Sequence, residues 1–307
     1  ILKRGNTMEI TKINGKSGFV KGGTTTGIYT FKDKSVLIID PGLSSARGNR
    51  LSQMLEDSSL RARYCITTHE HLDHFEAYSS IKSHFTGCSF FCSENTKKFL
   101  QSPKFFTTYI YGANPHKKLL GNTKASIFDF EIEDTIKQGQ FKLSDIKFQA
   151  YELTGHSNGD IGILSPDKVL YVGDALFDYH IMKKYDFPFI FDVEKYLKSL
   201  ELIDVIDFDY CVIGHSKSIY NKDEITDIVS KNKDNVNRYV NEIYNLLEQP
   251  YTREELLSKI ISDNDLKLDY KEYHYYYSTL GSMLTLLIDN DQIQYEVENG
   301  LVYYYKL

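Results

Sequence analysis

No apolar run in these 307 residues comes near the ~20 that a membrane-crossing helix requires, and the longest are Val36-Leu37-Ile38-Ile39 and Leu284-Thr285-Leu286-Leu287-Ile288. No helical span and no membrane partner are expected. Basic residues are in deficit, 36 Lys and Arg against 42 Asp and Glu for a net charge of -6, so nothing sequence-wide draws the chain to nucleic acid or an anionic surface. Cysteine is scarce too. Cys65, Cys88, Cys92 and Cys211 lie in or beside apolar runs in a chain too long to need a disulfide framework, which points to a reducing compartment and a cytoplasmic location. With only 6 prolines, 19 glycines and no internal repeat, collagen-like and disordered classes are left without support. What remains is a globular balance, 41% hydrophobic and 25% charged, long enough for one large domain or two unequal ones at ~100–200 residues each.

Charge divides the chain near residue 220. Residues 221–307 hold nine Lys and Arg against sixteen Asp and Glu, a balance of -7, whereas residues 1–220 come to +1. The first part reads as short β runs between turns and helices, at 28–31, 36–39, 64–67, 89–91, 148–153, 161–164, 169–172 and 210–213. Such alternation predicts a layered α/β domain over residues 1–220. From Asp223 the apolar period turns helical through Ile225, Ile228, Val229, Val236, Val240, Ile243, Leu246 and Leu247, and Gln249-Pro250 ends that helix. Thr252 and Glu255 match the capping box of a second helix, and a third is expected near Tyr276 to Ile288. Asn299-Gly300 between two β runs predicts a closing hairpin. Three helices and a hairpin are the element order of a winged helix, so residues 221–307 are expected to form a small winged-helix-like C-terminal domain.

The decisive segment is Thr68-His69-Glu70-His71-Leu72-Asp73-His74-Phe75, with three imidazoles and the Asp73 carboxylate in six residues. Alternate residues of an extended segment point the same way, so His69 and His71 can grip one ion, while Asp73 and His74, at the start of an expected helix over 75–83, can face a second. Imidazole with carboxylate suits zinc, iron or manganese. Three further segments end a β run with glycine and then a ligand-type residue: Gly155-His156, Gly173-Asp174 and Gly214-His215. Loops at strand ends are where layered α/β domains carry their sites. His84, His116, His180 and His274 lack such a setting and read as surface or packing residues.

In these segments the chain resembles the metallo-β-lactamase-fold hydrolases, in the branch that shares an H-x-H-x-D-H pattern with glyoxalase II. The resemblance spans residues from about 18 to 220, with Asp40-Pro41-Gly42, His69 to His74, His156, Asp174 and His215 matching the five family motifs in order. It implies an αββα sandwich followed by the helical tail, which is similar in element order to that of lactamase-like protein 2. It further implies that His69, His71 and His156 hold one metal ion, that Asp73, His74 and His215 hold a second, and that Asp174 bridges them. Asp40 would orient a histidine from behind the ligands. It equally reads as a turn former before Pro-Gly.

Two divalent ions, zinc first with iron or manganese as alternatives, would supply a bridging hydroxide at neutral pH, with Asp73 and Asp174 as the catalytic carboxylates. The expected reaction is hydrolysis of a small-molecule ester, thioester or lactone. A single-strand endoribonuclease and a mononuclear-iron persulfide dioxygenase are the alternatives. Tyr109, Tyr111, His116, Lys117 and Lys118 are candidate substrate contacts that also fit a solvated loop. Ser157 lacks any G-x-S-x-G setting and is not expected to be a nucleophile. The tail's apolar helical faces must be buried against the hydrolase domain or a second subunit, which makes a homodimer an expectation, and duplex DNA binding is not expected from a tail of charge -7. Met8 offers an alternative start, so nothing rests on residues 1–7.

Overall fold

A computed structural model describes residues 8–102, 104–120 and 131–307; residues 1–7, including the question of the alternative start, lie outside it. One sheet runs in sequence order through β1 (Thr11–Asn14), β2 (Ser17–Val20), β3 (Thr26–Thr30), β4 (Ser35–Ile39), β5 (Arg61–Ile66), β6 (Ser89–Cys92) and β7 (Ile132–Thr135). A second holds β8 (Gly139–Leu143), β9 (Ile146–Glu152), β10 (Ile161–Leu164), β11 (Val169–Gly173), β12 (Tyr210–Ile213) and β13 (Tyr220–Asn221). The helices before the tail are α1 (Ser45–Asp57), α2 (Leu72–Phe75), α3 (Tyr78–His84), α4 (Glu94–Leu100), α5 (Phe105–Tyr111), α6 (Lys117–Leu120), α7 (Tyr179–Lys184) and α8 (Val193–Val205). All eight β runs read from the sequence are strands. The helix expected over 75–83 is instead two short helices, α2 and α3, broken at Glu76-Ala77.

The layers follow from the two-residue period of strands whose both faces are covered. Along β4, Val36 and Ile38 pack outward with Leu51, Leu55 and Tyr78 from α1 and α3, while Leu37 and Ile39 point inward. Along β11, Val169 and Tyr171 meet those inward residues, and Leu170 and Val172 point out toward Tyr196 and Leu200 of α8. The result is helix, sheet, sheet, helix. β4, β5, β6 and β7 are parallel, as are β11 and β12, so their carboxyl ends gather the loops that follow them.

The tail comprises α9 (Lys222–Leu246), β14 (Tyr251–Thr252), α10 (Arg253–Asp263), α11 (Tyr270–Asp289), β15 (Ile293–Glu298) and β16 (Leu301–Lys306). Capping boxes start all three helices, at Asn221/Glu224, Thr252/Glu255 and Asp269/Glu272. Asn299 and Gly300, with φ of 51° and 80°, turn the hairpin, since that tight turn needs positive φ at both central residues. The expected order of elements is present, with β14 added to the hairpin as a third strand in the order β14-β16-β15. The tail is not a free module. Ile225, Ile228, Val236 and Tyr239 of α9 and Leu280 and Met283 of α11 share one apolar core with Leu170, Ile213, Tyr196 and Leu200.

Candidate metal centre

Four loops bring the seven donor residues together at one rim, and a fifth adds Asp40. Asp40 follows β4, residues 67–74 follow β5, His156 lies three residues past Leu153 at the end of β9, Asp174 follows β11, and His215 follows β12. The segment His69 to His71 is a bend rather than an extended run, because the Thr67 hydroxyl donates to the His69 carbonyl (2.9 Å) and curls the chain. The two rings meet nonetheless, with His69 Nε2 3.0 Å from His71 Nδ1 and His156 Nε2 2.9 Å from the same atom. Two of the strand-end glycines are required by close approach. A Cβ on Gly173, at φ +55°, would stand 2.2 Å from the Thr68 hydroxyl, and one on Gly214 would stand 2.4 Å from Asp174 Oδ1.

The donors form two groups able to hold metal ions, His69, His71, His156 and Asp174 in one and Asp73, His74 and His215 in the other, each with donor atoms within 4.8 Å of one another. Asp174 faces both. Its Oδ1 is 3.4 Å from His74 Nε2, and its Oδ2 is 3.2 Å from His215 Nε2 and 3.8 Å from His156 Nε2. His215 Nε2 is also 3.2 Å from Asp73 Oδ2. Donors about 2.1 Å from one tetrahedral ion stand roughly 3.4 Å apart, so these spacings suit shared cations.

Ring orientation tests that fit independently. His156 Nδ1 lies 2.9 Å from the Phe189 carbonyl and His215 Nδ1 lies 2.8 Å from the Gly23 carbonyl; a carbonyl only accepts, so both Nδ1 atoms carry hydrogen and both Nε2 atoms face the centre. His74 Nδ1 donates to Asp40 Oδ2 (2.9 Å). The Thr68 hydroxyl donates to that same oxygen (2.8 Å) and accepts from His69 Nδ1 (3.0 Å). One buried carboxylate thus aims a histidine in each group. Asp40 also forms the turn: its φ is +53°, a region that aspartate enters more readily than most residues.

The two groups differ in charge. Burial and the neighbouring imidazoles push His69, His71 and His156 down, His71 to about 3, so all three are neutral donors. Burial also acts to lower His74, but the Asp174 and Asp40 carboxylates raise it to about 10. His215, beside Asp174 and Asp73, is raised to about 12. Burial opposes ionisation of Asp174, yet His215 and His74 hold its carboxyl well below the usual range.

Several contributors carry no motif. Arg47 is buried with no carboxylate among its described partners, and it donates to the carbonyls of Pro41 (2.9 Å), Thr24 (3.0 Å) and Lys21 (3.4 Å) and to the Thr26 hydroxyl (2.8 Å). The loop it straps donates from Thr24 to the Asp73 carbonyl (2.6 Å) and from the Thr25 N–H to the Gly214 carbonyl (2.6 Å), and it supplies the Gly23 carbonyl to His215. Behind the other group, Ser157 donates to Glu70 (3.0 Å), whose burial raises its pKa to about 6. Ser157 is therefore engaged in holding the loop. Tyr111 packs on His274 at 5.2 Å and His116 on Tyr270 at 5.6 Å, so these candidate substrate contacts join α5 and the loop after it to α11. Tyr109 stacks edge-on to Phe191 at 5.1 Å, while Lys117 and Lys118 are exposed on α6. A periodic sequence signal exists for none of these except the aromatic bias itself.

Residues 21–215 match the model of the metallo-beta-lactamase superfamily. The chain belongs to that superfamily, and with this His/Asp site it is a metal-dependent hydrolase of it. It is 32% identical over 188 residues to the hydroxyacylglutathione hydrolase GloC of Haemophilus influenzae, a match covering 60% of this chain and 81% of that one. Among solved structures it is similar to a beta-lactamase domain protein from Burkholderia ambifaria (TM-score 0.75, 15% identity, 97% of this chain and 93% of that one). It is also similar to a metallo-beta-lactamase family protein from Thermus thermophilus (TM-score 0.68, 14% identity, 92% and 94%). At those identities the likeness concerns the fold, and it extends over the tail. No described helix is long and apolar enough to cross a membrane.

Proposed function

We propose that the protein is a binuclear hydrolase of small esters, thioesters or lactones, with zinc ions held by His69, His71 and His156 on one side, Asp73, His74 and His215 on the other, and Asp174 between. The observation that carries this reading is the convergence of four Nε2 atoms, each aimed by a hydrogen bond at its own Nδ1, on a site with two carboxylates. Divalent ions there supply an activated water and a polarised carbonyl oxygen. Asp174, buried and ionised, holds negative charge between the groups. Burial opposes ionisation of Asp73, yet His215 and His74 hold its carboxyl well below the usual range, so it too is a carboxylate donor. The similarity to a hydrolase named for hydroxyacylglutathione supports a thioester over the other classes. The order of three helices and a hairpin supports a winged-helix-like reading of the tail, here acting as part of the site wall.

The test is metal analysis of the purified protein joined to a panel of ester, thioester, lactone and single-stranded RNA substrates. Hydrolysis of a panel ester, thioester or lactone that stops on chelation and returns with zinc is expected. RNA cleavage alone would move the reading to a ribonuclease, and one iron per chain with oxygen consumption on persulfides would replace hydrolysis by oxidation.

A further inference from the structure

Two half-buried aromatic rings flank His71 and a third packs on both, and they come from three distant parts of the chain. Phe106 of α5 lies 4.8 Å from the His71 ring and Phe189, just before α8, lies 5.9 Å from it, centroid to centroid. Tyr275 of α11 faces both, at 6.1 Å from Phe106 and 5.2 Å from Phe189. None of the three belongs to the apolar cores that hold the sheets and helices together. They pack on one another and, through Phe106, on Phe99 and Tyr109, as a separate aromatic cluster. Partly open aromatic rings beside a polar centre are what a ligand site presents.

Lys271 stands one helical turn before Tyr275. Its ammonium lies 5.3 Å from the Tyr275 ring centroid. Asp73 and Asp269 are the carboxylates in its surroundings, yet among the described residues it forms no ion pair within 4 Å. Other cations of the tail are spent on structure: Arg238 pairs with Asp186, Lys259 with Asp263 and Lys306 with Glu248. A lysine left open beside a phenol, in a segment of net charge -7, is available to a ligand anion.

We propose that Phe106, Phe189, Tyr275 and Lys271 form the substrate-recognition subsite of this hydrolase, which takes esters or thioesters carrying an apolar group next to the scissile carbonyl and an anionic group beyond it. The rings hold the apolar group over His71, and Lys271 with the Tyr275 phenol holds the anion. This inference rests on the hydrolytic reading and names its substrate class. It also gives α11 a specific task, since two of the four residues belong to it.

The experiment compares a matched pair of thioesters of one neutral thiol, one with a neutral aryl-acyl group and one whose aryl-acyl group bears a distal carboxylate, in the wild type, Lys271→Met and Lys271→Arg. The wild type is expected to favour the charged member by about tenfold in kcat/KM, or about 1.4 kcal/mol. Lys271→Met should lose that preference through KM rather than kcat, and Lys271→Arg should keep most of it. Calorimetry with the corresponding non-hydrolysable amides reads binding without turnover, and the same tenfold difference is expected to vanish in Lys271→Met. A preference unchanged in Lys271→Met by both measurements would overturn the subsite while leaving hydrolysis intact. Amides that bind with a Lys271-dependent preference while neither thioester is cleaved would instead remove the hydrolytic reading.

Discussion

Arg47 carries a charge into the interior and spends its N–H donors on carbonyls and a hydroxyl, and its route passes Gly22 and Gly42, where a Cβ would stand 2.1 and 2.4 Å from the guanidinium. The strapped loop serves Asp73 and His215 and touches no donor of the His69 group. Arg47→Met leaves buried carbonyls unpaired, at about 1–3 kcal/mol for each unsatisfied group. The expected outcome is a folded but less stable protein that keeps the first equivalent of zinc and binds the second at least tenfold more weakly, read by calorimetry; equal loss at both sites would show that the strap is not selective. Protonation gives a second residue-scale expectation. His74 and His215 are protonated at neutral pH in the metal-free protein, with pKa values raised to about 10 and about 12, whereas the three histidines of the other group are neutral. A metal at His74 and His215 must displace those protons, so its affinity falls as pH drops, by up to about a hundredfold per unit for two protons, while the first site changes little between pH 7 and 6. The same raised values favour the metal-free fold below the unfolded pKa of about 6.5, a contribution lost as pH rises through 10. Parallel pH slopes for the two equivalents in a zinc titration would contradict the assignment. The donors were legible because three histidines in six residues have few structural uses. Arg47, Glu70 and Lys271 were not, since a lone charged residue in a sequence does not reveal whether its partners are carboxylates, carbonyls or nothing.

At the scale of elements, a buried polar residue joins α9 to the segment that follows Asp174. Asn232, buried on the apolar face of α9, accepts from the Phe177 N–H (3.2 Å) and the Tyr196 hydroxyl (2.9 Å) and donates to the Phe177 carbonyl (2.9 Å). Phe177 lies three residues past Asp174. Asn232→Ala is expected to cost about 2–4 kcal/mol in denaturant unfolding, because several buried groups lose their partner at once; a change under about 0.5 kcal/mol would mean that the contact is incidental. The sequence showed α9, α10, α11 and the hairpin through period, caps and Asn-Gly. It did not show β1, β2 or β8, whose residues are short, polar or mixed and become strands by pairing with neighbours. Nor did it show the break between α2 and α3, where the chain turns to present Asp73 and His74 while the Ala77 N–H bonds back to the Gly42 carbonyl (2.9 Å).

For the whole molecule, the shared core means that the tail is not an appendage. A chain ending at residue 220 would expose Leu200, Ile203 and Ile213 and would lose Tyr275 and Lys271, so it is expected to aggregate or to lose substrate discrimination. If residues 8–220 alone were monomeric and as selective as the full chain, the tail would have no part in the site. The tail's balance of -7 opposes phosphate, and the hairpin that would serve as a wing has only Lys306, already paired with Glu248. No duplex DNA binding is expected at physiological salt, and a salt-sensitive gel shift at submicromolar protein would contradict this. The same hairpin exposes Tyr295, Val297 and Leu301. The central claim is two metal sites joined through Asp174, and metal analysis of Asp174→Ala beside the wild type tests it most directly. About two ions per wild-type chain, at most one in the variant, and loss of nearly all hydrolysis with the fold intact by circular dichroism are the results predicted. Two ions and full turnover in Asp174→Ala would contradict it.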